Sequence, residues 1–339
     1  MIRPRYWILG LILILAAAAI GGVLWDFRRF LATPLPLEGG EMRYGVVPGA
    51  SLRTVAGQLA KRSVLRRPLY FVLLGYWQGS AHRIRAGEYD FAPGTTPAAL
   101  LKQLVEGSVV QHSLTLVEGW TFQQVREAVR KHEALHHTLD GFSQEKIMGR
   151  IGHPGEHPEG RFCPDTYHFP HGTTDAAFLS RAYDKMQASL VREWDKRKRG
   201  LPYKNTYEAL IVASIVEKET AVSEERASIA GVFVRRLYLG MPLQTDPTVI
   251  YGLGAAFDGD LRRRDHLRAD TPYNTYIHPG LPPTPIAMPG AASLHAALHP
   301  ADGKALYFVA RGDGSHHFSD TLEEHNRAMA RYQLKRHAP

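Results

Sequence analysis

Ala213-Ser214-Ile215-Val216-Glu217-Lys218-Glu219-Thr220 ends an apolar run with two carboxylates, a lysine and a threonine. Upstream, Asn205-Thr206-Tyr207-Glu208 has the pattern of a capping box, with Asn205 as N-cap and Glu208 at N3. The spacing predicts a helix from there through Leu210, Ile211, Ser214 and Ile215 to about Glu219. Glu217 and Glu219 are two apart, about 200° around a helix axis, so they cannot serve as a same-face pair. Both fall in the last turn, where the helix dipole disfavours an anion. A carboxyl there, if also desolvated, has a raised pKa and can act as a general acid at neutral pH. The bland alternative is a solvated, frayed helix end.

The following segments supply what a cleft needs. Glu225 to Leu239 reads as an amphipathic helix, closed by Gly240. Leu243-Gln244-Thr245-Asp246-Pro247-Thr248-Val249-Ile250-Tyr251-Gly252, Thr271-Pro272-Tyr273-Asn274-Thr275-Tyr276 and Gly280-Leu281-Pro282-Pro283-Thr284-Pro285-Ile286 are dense in Pro, Tyr, Asn and Thr. They read as rigid loops, poor core material but suited to sugars, since rings stack and amides and carboxylates bond hydroxyls. Leu306 to Ala310 reads as a buried strand that hairpins onto His317-Phe318-Ser319.

Working back toward the N-terminus, residues 175–199 form a helical pattern with Phe178, Leu179, Ala182, Met186, Leu190 and Trp194 on one stripe. Glu159 to Tyr167 is a compact polar and aromatic turn, and residues 132–160 a His- and Gly-rich insertion. A turn feeding a short helix recurs at Val47–Leu52, Pro93–Thr96 and Val117–Thr121, with Ser51, Thr96 and Thr121 where N-caps belong. Such units resemble LysM-like modules, which bind cell-wall glycan. Residues 26–44, with Pro34, Pro36 and Gly39-Gly40, read as a linker. Between Trp7 and Trp25 the chain is uncharged, long enough to cross a hydrocarbon core of about 30 Å. It exceeds a signal-peptide core, so an uncleaved anchor is expected, with Arg3 and Arg5 before it and Asp26, Arg28 and Arg29 after it.

With 339 residues, 44% hydrophobic and 22% charged, the chain has room for about two globular domains. The net charge of +8 is spread in short clusters such as Lys196–Arg199 and Arg262–Arg264, which speaks against nucleic-acid binding and suits an anionic membrane or acidic polymer. One cysteine, Cys163, excludes an internal disulfide, and the 17 histidines show no zinc-type spacing. Neither a metal nor a cofactor is expected.

Taken together, ASIVEKET at 213–220, LQTDPTVIYG at 243–252, TPYNTY at 271–276, GLPPTPIAMPG at 280–290, ALHP at 297–300 and HFSDTLEEHN at 317–326 resemble the endolytic murein transglycosylases, the MltG or YceG-like family. Thr284 and Cys163 depart from the usual residues there. The resemblance implies an α+β chain: a stub and transmembrane helix at 1–25, a linker at 26–44, a LysM-like module at 45–130 and a catalytic domain with a lysozyme-like helical core and β additions at 131–335. It implies a bacterial inner-membrane location, N-terminus cytoplasmic, action on peptidoglycan strands, and cell-wall synthases as partners. Glu219 falls on the family's catalytic acid, with Glu217 supporting. Gln244, Asp246, Tyr251, Tyr273, Asn274 and Tyr276 are candidates to line the glycan cleft. A lysozyme-type hydrolase and a non-enzymatic wall-binding scaffold are the competing functions.

Overall fold

The computed structural model describes residues 4–37, 40–262 and 269–332. Arg3, Gly39, Arg263, Arg264 and the expected domain end at 333–335 lie outside the described residues. Helices and short strands are mixed along the chain, which begins with a long apolar helix, α1 (Pro4–Ala32). Its segment Gly10–Ala32 is long and apolar enough to cross a membrane, and its large side chains from Leu11 to Trp25 are exposed. The chain divides into two compact units, residues 1–112 with 169–172 and residues 113–168 with 173–339.

In the first unit β1 (Met42–Val46) pairs antiparallel with β2 (Gly87–Phe91), Met42 opposite Phe91. Between them run α2 (Leu52–Lys61) and α3 (Pro68–Trp77), and α4 (Pro97–Glu106) follows. Period-two alternation buries Tyr44, Val46, Tyr89 and Phe91 against Leu59, Phe71, Leu101 and Leu104. Ser51 and Thr96 cap α2 and α4 through the amides of Thr54 and Ala99. The stretch expected to be a linker is largely structured. α1 continues to Ala32, and Phe27, Phe30, Leu31, Leu35 and Leu37 pack on this core, while β1 starts at Met42.

The third turn-to-helix copy belongs to the second unit, where Thr121 and Gln124 form a full capping box at the start of α5 (Phe122–Lys131). The strand β3 (Gln111–Thr115) precedes it; β4 (Leu135–His136), α6 (Gln144–Arg150), β5 (Thr166–Pro170) and β6 (Thr173–Thr174) follow, with β3 paired to β5 and β4 to β6. The core of this unit is built around α8 (Thr206–Glu219), in which every residue from Ala209 to Val216 is buried. A helix apolar on all sides needs partners on all sides. They are α7 (Asp175–Asp195), α9 (Arg226–Tyr238), α10 (Asp246–Leu253) and α11 (Ala291–Leu298). Of the expected stripe of α7, Phe178, Leu179, Ala182, Met186 and Leu190 are buried, and Trp194 is only partly so. A hairpin of β7 (Tyr307–Ala310) and β8 (His316–Ser319) and helix α12 (Leu322–Tyr332) complete the unit.

Two expectations fail here. The segment from Leu243 to Gly252 is not all loop, because Pro247 sits in the first turn of α10, where its missing N–H is harmless. The Pro-rich segment at 280–290 is core: Ile286, Ala287 and Met288 are buried. Its backbone survives burial because the Ile286 amide donates to Ser214 Oγ at 3.0 Å and the Met288 amide to the Trp120 carbonyl at 2.7 Å.

Candidate active site

Helix α8 begins as its sequence indicates. Asn205 Oδ1 accepts the Glu208 amide at 3.0 Å, although Glu208 returns its carboxylate to the Lys204 amide. At the other end Thr220 leaves the helix in an extended conformation and holds the Val222 amide on its hydroxyl at 2.9 Å. Glu217, Lys218, Glu219 and Thr220 thereby reach one side of an open cleft of about 560 Å³ in the second unit. Val117, Glu118, Gly119 and Trp120 form another side, with Gln124, Ala221 and Arg226. The Glu118–Trp120 turn is pinned by mutual bonds between Gly119, Trp120 and Met288.

Glu219 is half-buried, and its carboxyl pKa is raised to about 7. Burial is the main cause; the Thr245 hydroxyl, donating to Oε1, works against it, the nearby Asp246 raises it further and Arg236 lowers it. Glu217 turns elsewhere, Oε2 accepting the Gly290 amide at 2.9 Å. A Cβ on Gly290 would lie 1.9 Å from Glu118 Oε1, so the absence of a side chain there lets Glu118 and Glu217 approach the same backbone.

Of the other expected residues, three gather near Glu219. Asp246 accepts the Tyr276 hydroxyl at 2.5 Å, and Gln244 Oε1 accepts from Arg236 Nη1 at 3.2 Å. Gln244 holds a left-handed φ of 51°, with its amide on the Thr275 carbonyl. Arg236 is buried and also donates to the carbonyls of Leu306, Pro242 and Leu243, so it fixes the irregular segment leading to Thr245. Tyr251 and Tyr273 instead meet each other edge-on at 4.9 Å, partly buried on the core. Tyr273 bonds Thr284, and Tyr251 bonds Glu159. Asn274 is fully buried, with Nδ2 on the Ala269 carbonyl and Oδ1 on the Tyr276 amide, a turn brace with no surface for a ligand.

Four contributors were not singled out as site residues from the sequence: Thr245, Arg226, Glu118 and Glu159. Glu159 is 3% exposed, accepts the Phe122 amide at 2.9 Å and the Tyr251 hydroxyl at 3.0 Å, and burial lifts its pKa to about 7. It braces the first residue of α5 against α10, the two elements that follow the cleft-lining turn and the Thr245 segment. An acid opening a compact polar and aromatic turn was the available signal. Arg226 is buried at the cleft, its Nη1 on Ser223 Oγ and its Nε without a hydrogen-bond partner among the described residues.

Away from the cleft, Glu193, His295 and His299 bring ligand atoms within 4.8 Å of one another, a grouping that rests on the four-residue His spacing of α11 and its cap. His295 is engaged by Glu193, and His299 Nε2 bonds the Lys196 carbonyl.

A helical core that ends in a half-buried carboxyl of raised pKa at an open cleft defines a candidate site for acid–base chemistry. The YceG-like family model matches residues 44–331, and the chain belongs to this family. It is 32% identical over 304 residues to the endolytic murein transglycosylase of Bacillus subtilis, covering 84% of this chain and 82% of that protein. It is 24% identical to the protein of the same name from Streptococcus pneumoniae, over 97% of this chain and 65% of the longer relative. Among solved structures, a YceG-like protein from Listeria monocytogenes aligns with a TM-score of 0.55 and 27% identity, over 85% of this chain and 98% of that one.

Proposed function

We propose that this chain is an endolytic peptidoglycan lytic transglycosylase that cuts the MurNAc–GlcNAc bond within glycan strands. The observation that carries it is Glu219: a cleft-side carboxyl whose pKa burial raises to about 7, so that it keeps its proton in part at neutral pH, with a hydroxyl donor on Oε1. Protonated Glu219 gives its proton to the glycosidic oxygen as the C1–O bond breaks. The resulting carboxylate takes the proton of the MurNAc C6 hydroxyl, whose oxygen bonds C1 and closes a 1,6-anhydro ring. One carboxyl serves as acid and then base, and no water is consumed. The Thr245 hydroxyl steadies the anionic half of that cycle. Glu217, by holding Gly290, supports the cleft without taking part in proton transfer.

Asp246 favours a second reading. It lies close enough to Glu219 to raise its pKa. Were it to activate a water, the enzyme would be a lysozyme-type hydrolase with two carboxylates. Incubating purified glycan strands with the full-length protein tests both readings against a scaffold. Internal cleavage to shorter strands supports an enzyme, and binding without cleavage contradicts one.

The β1–α2–α3–β2 order with antiparallel strands supports a LysM-like first unit. The buried α8 amid four helices supports a lysozyme-like core. The apolar α1 supports a single-pass membrane anchor; an inner-membrane location with a cytoplasmic N-terminus, and cell-wall synthases as partners, follow only from the family resemblance.

Arg226 offers the cleft its only buried guanidinium among the described lining residues. The lactyl and peptide carboxylates of peptidoglycan are the anions it would meet. Arg226→Ala should raise KM for peptide-bearing strands about tenfold or more, the worth of a charged hydrogen bond, with a smaller change in kcat. Steady-state kinetics check this, and Arg226→Lys should recover part of the loss.

A further inference from the structure

The helix α3 is apolar on every side but has only one side in the core. Phe71, Val72 and Leu74 are buried. Leu69, Leu73, Tyr76 and Trp77, spaced i, i+4, i+7 and i+8 on the opposite face, are 72%, 56%, 58% and 79% exposed. Four large contiguous apolar side chains facing out call for a covering surface. At ten residues, about 15 Å long, α3 is too short to span a bilayer.

Its attachment indicates which surface. The start of α3 is fastened to α1 just beyond Trp25. Asp26 pairs with Arg67 at 2.6 Å and accepts the Tyr70 hydroxyl at 3.0 Å. The Tyr70 ring meets Phe27 and Phe30 edge-on at 5.4 and 5.7 Å. If α1 crosses the membrane, Trp25 and Asp26 mark the interface, and α3 starts at that level. Exposed cations bracket the apolar face: Lys61, Arg62, Arg66 and Arg67 before it, Arg83 after it. Aromatic and aliphatic side chains on one face, flanked by basic residues, suit the boundary between anionic headgroups and acyl chains.

We propose that α3 lies in the membrane surface at the end of α1 from which the folded chain emerges, with Leu69, Leu73, Tyr76 and Trp77 immersed. The spanning helix and the interfacial helix then form one rigid corner through Asp26 and Tyr70, which holds the first unit against the bilayer in place of swinging it on a tether. This rests on α1 being a membrane span.

The test uses full-length protein in a Cys163→Ser background, reconstituted into phosphatidylethanolamine–phosphatidylglycerol vesicles. A fluorophore is placed by Ala18→Cys, Leu73→Cys or Gln111→Cys, the last an exposed strand position without an apolar face. Lipid-attached quenchers at shallow and deep positions report depth. The proposal expects position 18 to be quenched most by the deep quencher, position 73 by the shallow one, and position 111 several-fold less by either. Quenching at 18 but not at 73 would overturn the proposal while leaving the anchor intact. Quenching at neither overturns both. Efficient 73-to-73 cross-linking between chains without lipid quenching assigns the face to a second copy and also overturns it.

Discussion

Glu219→Gln should reduce glycan cleavage by about a thousandfold, within the 10²–10⁴ range typical of a lost general acid, while leaving the fold and glycan binding intact. The substitution keeps size and keeps an oxygen to accept the Thr245 hydroxyl, but has no proton to give. A variant that still released anhydro-muropeptides at the parental rate would sink the assignment. The acid form is the active form, so wild-type activity should fall as pH rises through about 7, the pKa to which burial lifts Glu219. Thr245→Val removes the donor that favours the anion. It should raise the pKa and move the alkaline limb of the rate profile to higher pH. An unmoved limb would mean that another group sets it.

Glu159→Gln should stabilise the protein at alkaline pH relative to its effect at acid pH. The carboxyl titrates near 4.5 when unfolded and at about 7 when folded. Below 4.5 both states hold the proton; between the two values only the folded state does, so this group's contribution to stability falls as pH rises. Above 7 the loss is complete. The shift corresponds to on the order of 3 kcal/mol, and at 3% exposure solvent does little to reduce it. Glutamine resembles the neutral acid: its carbonyl can accept the Phe122 amide and its NH₂ can face the Tyr251 hydroxyl. Denaturant unfolding at pH 4 and pH 8.5 should therefore show the variant gaining about that amount on the wild type between the two conditions. A pH-independent difference would mean that Glu159 is already ionised in the folded protein.

Such a buried acid exists because it braces a site, and its role was not legible in the sequence. What was legible is local. Asn205 caps α8, Ser51, Thr96 and Thr121 cap their helices, and the β7–β8 hairpin forms where alternation and a glycine-rich turn predict it. The end of α8 at Glu219 follows from the same chemistry. Helix geometry also separated Glu217 from Glu219, and the structure gives them different partners, Gly290 and Thr245. The raised pKa of Glu219 was expected partly from its place at a helix C-terminus. Its main cause is burial, opposed by Thr245 and assisted by Asp246, groups 26 and 27 residues away. Contacts at that separation leave no periodicity to read. The burial of Ile286–Met288 has the same origin, since a Pro-rich segment becomes core only when distant partners such as Ser214 and Trp120 satisfy its amides. Asn274 shows the converse: a residue type suited to sugars is consumed by its own turn.

The central claim is that one carboxyl performs both proton transfers and that the C6 hydroxyl, not water, is the nucleophile. Cleavage of glycan strands in ¹⁸O-labelled water, followed by mass spectrometry of the new MurNAc ends, tests it directly. The account predicts 1,6-anhydro ends carrying no ¹⁸O. Reducing MurNAc ends carrying one ¹⁸O at C1 would contradict it and identify a hydrolase.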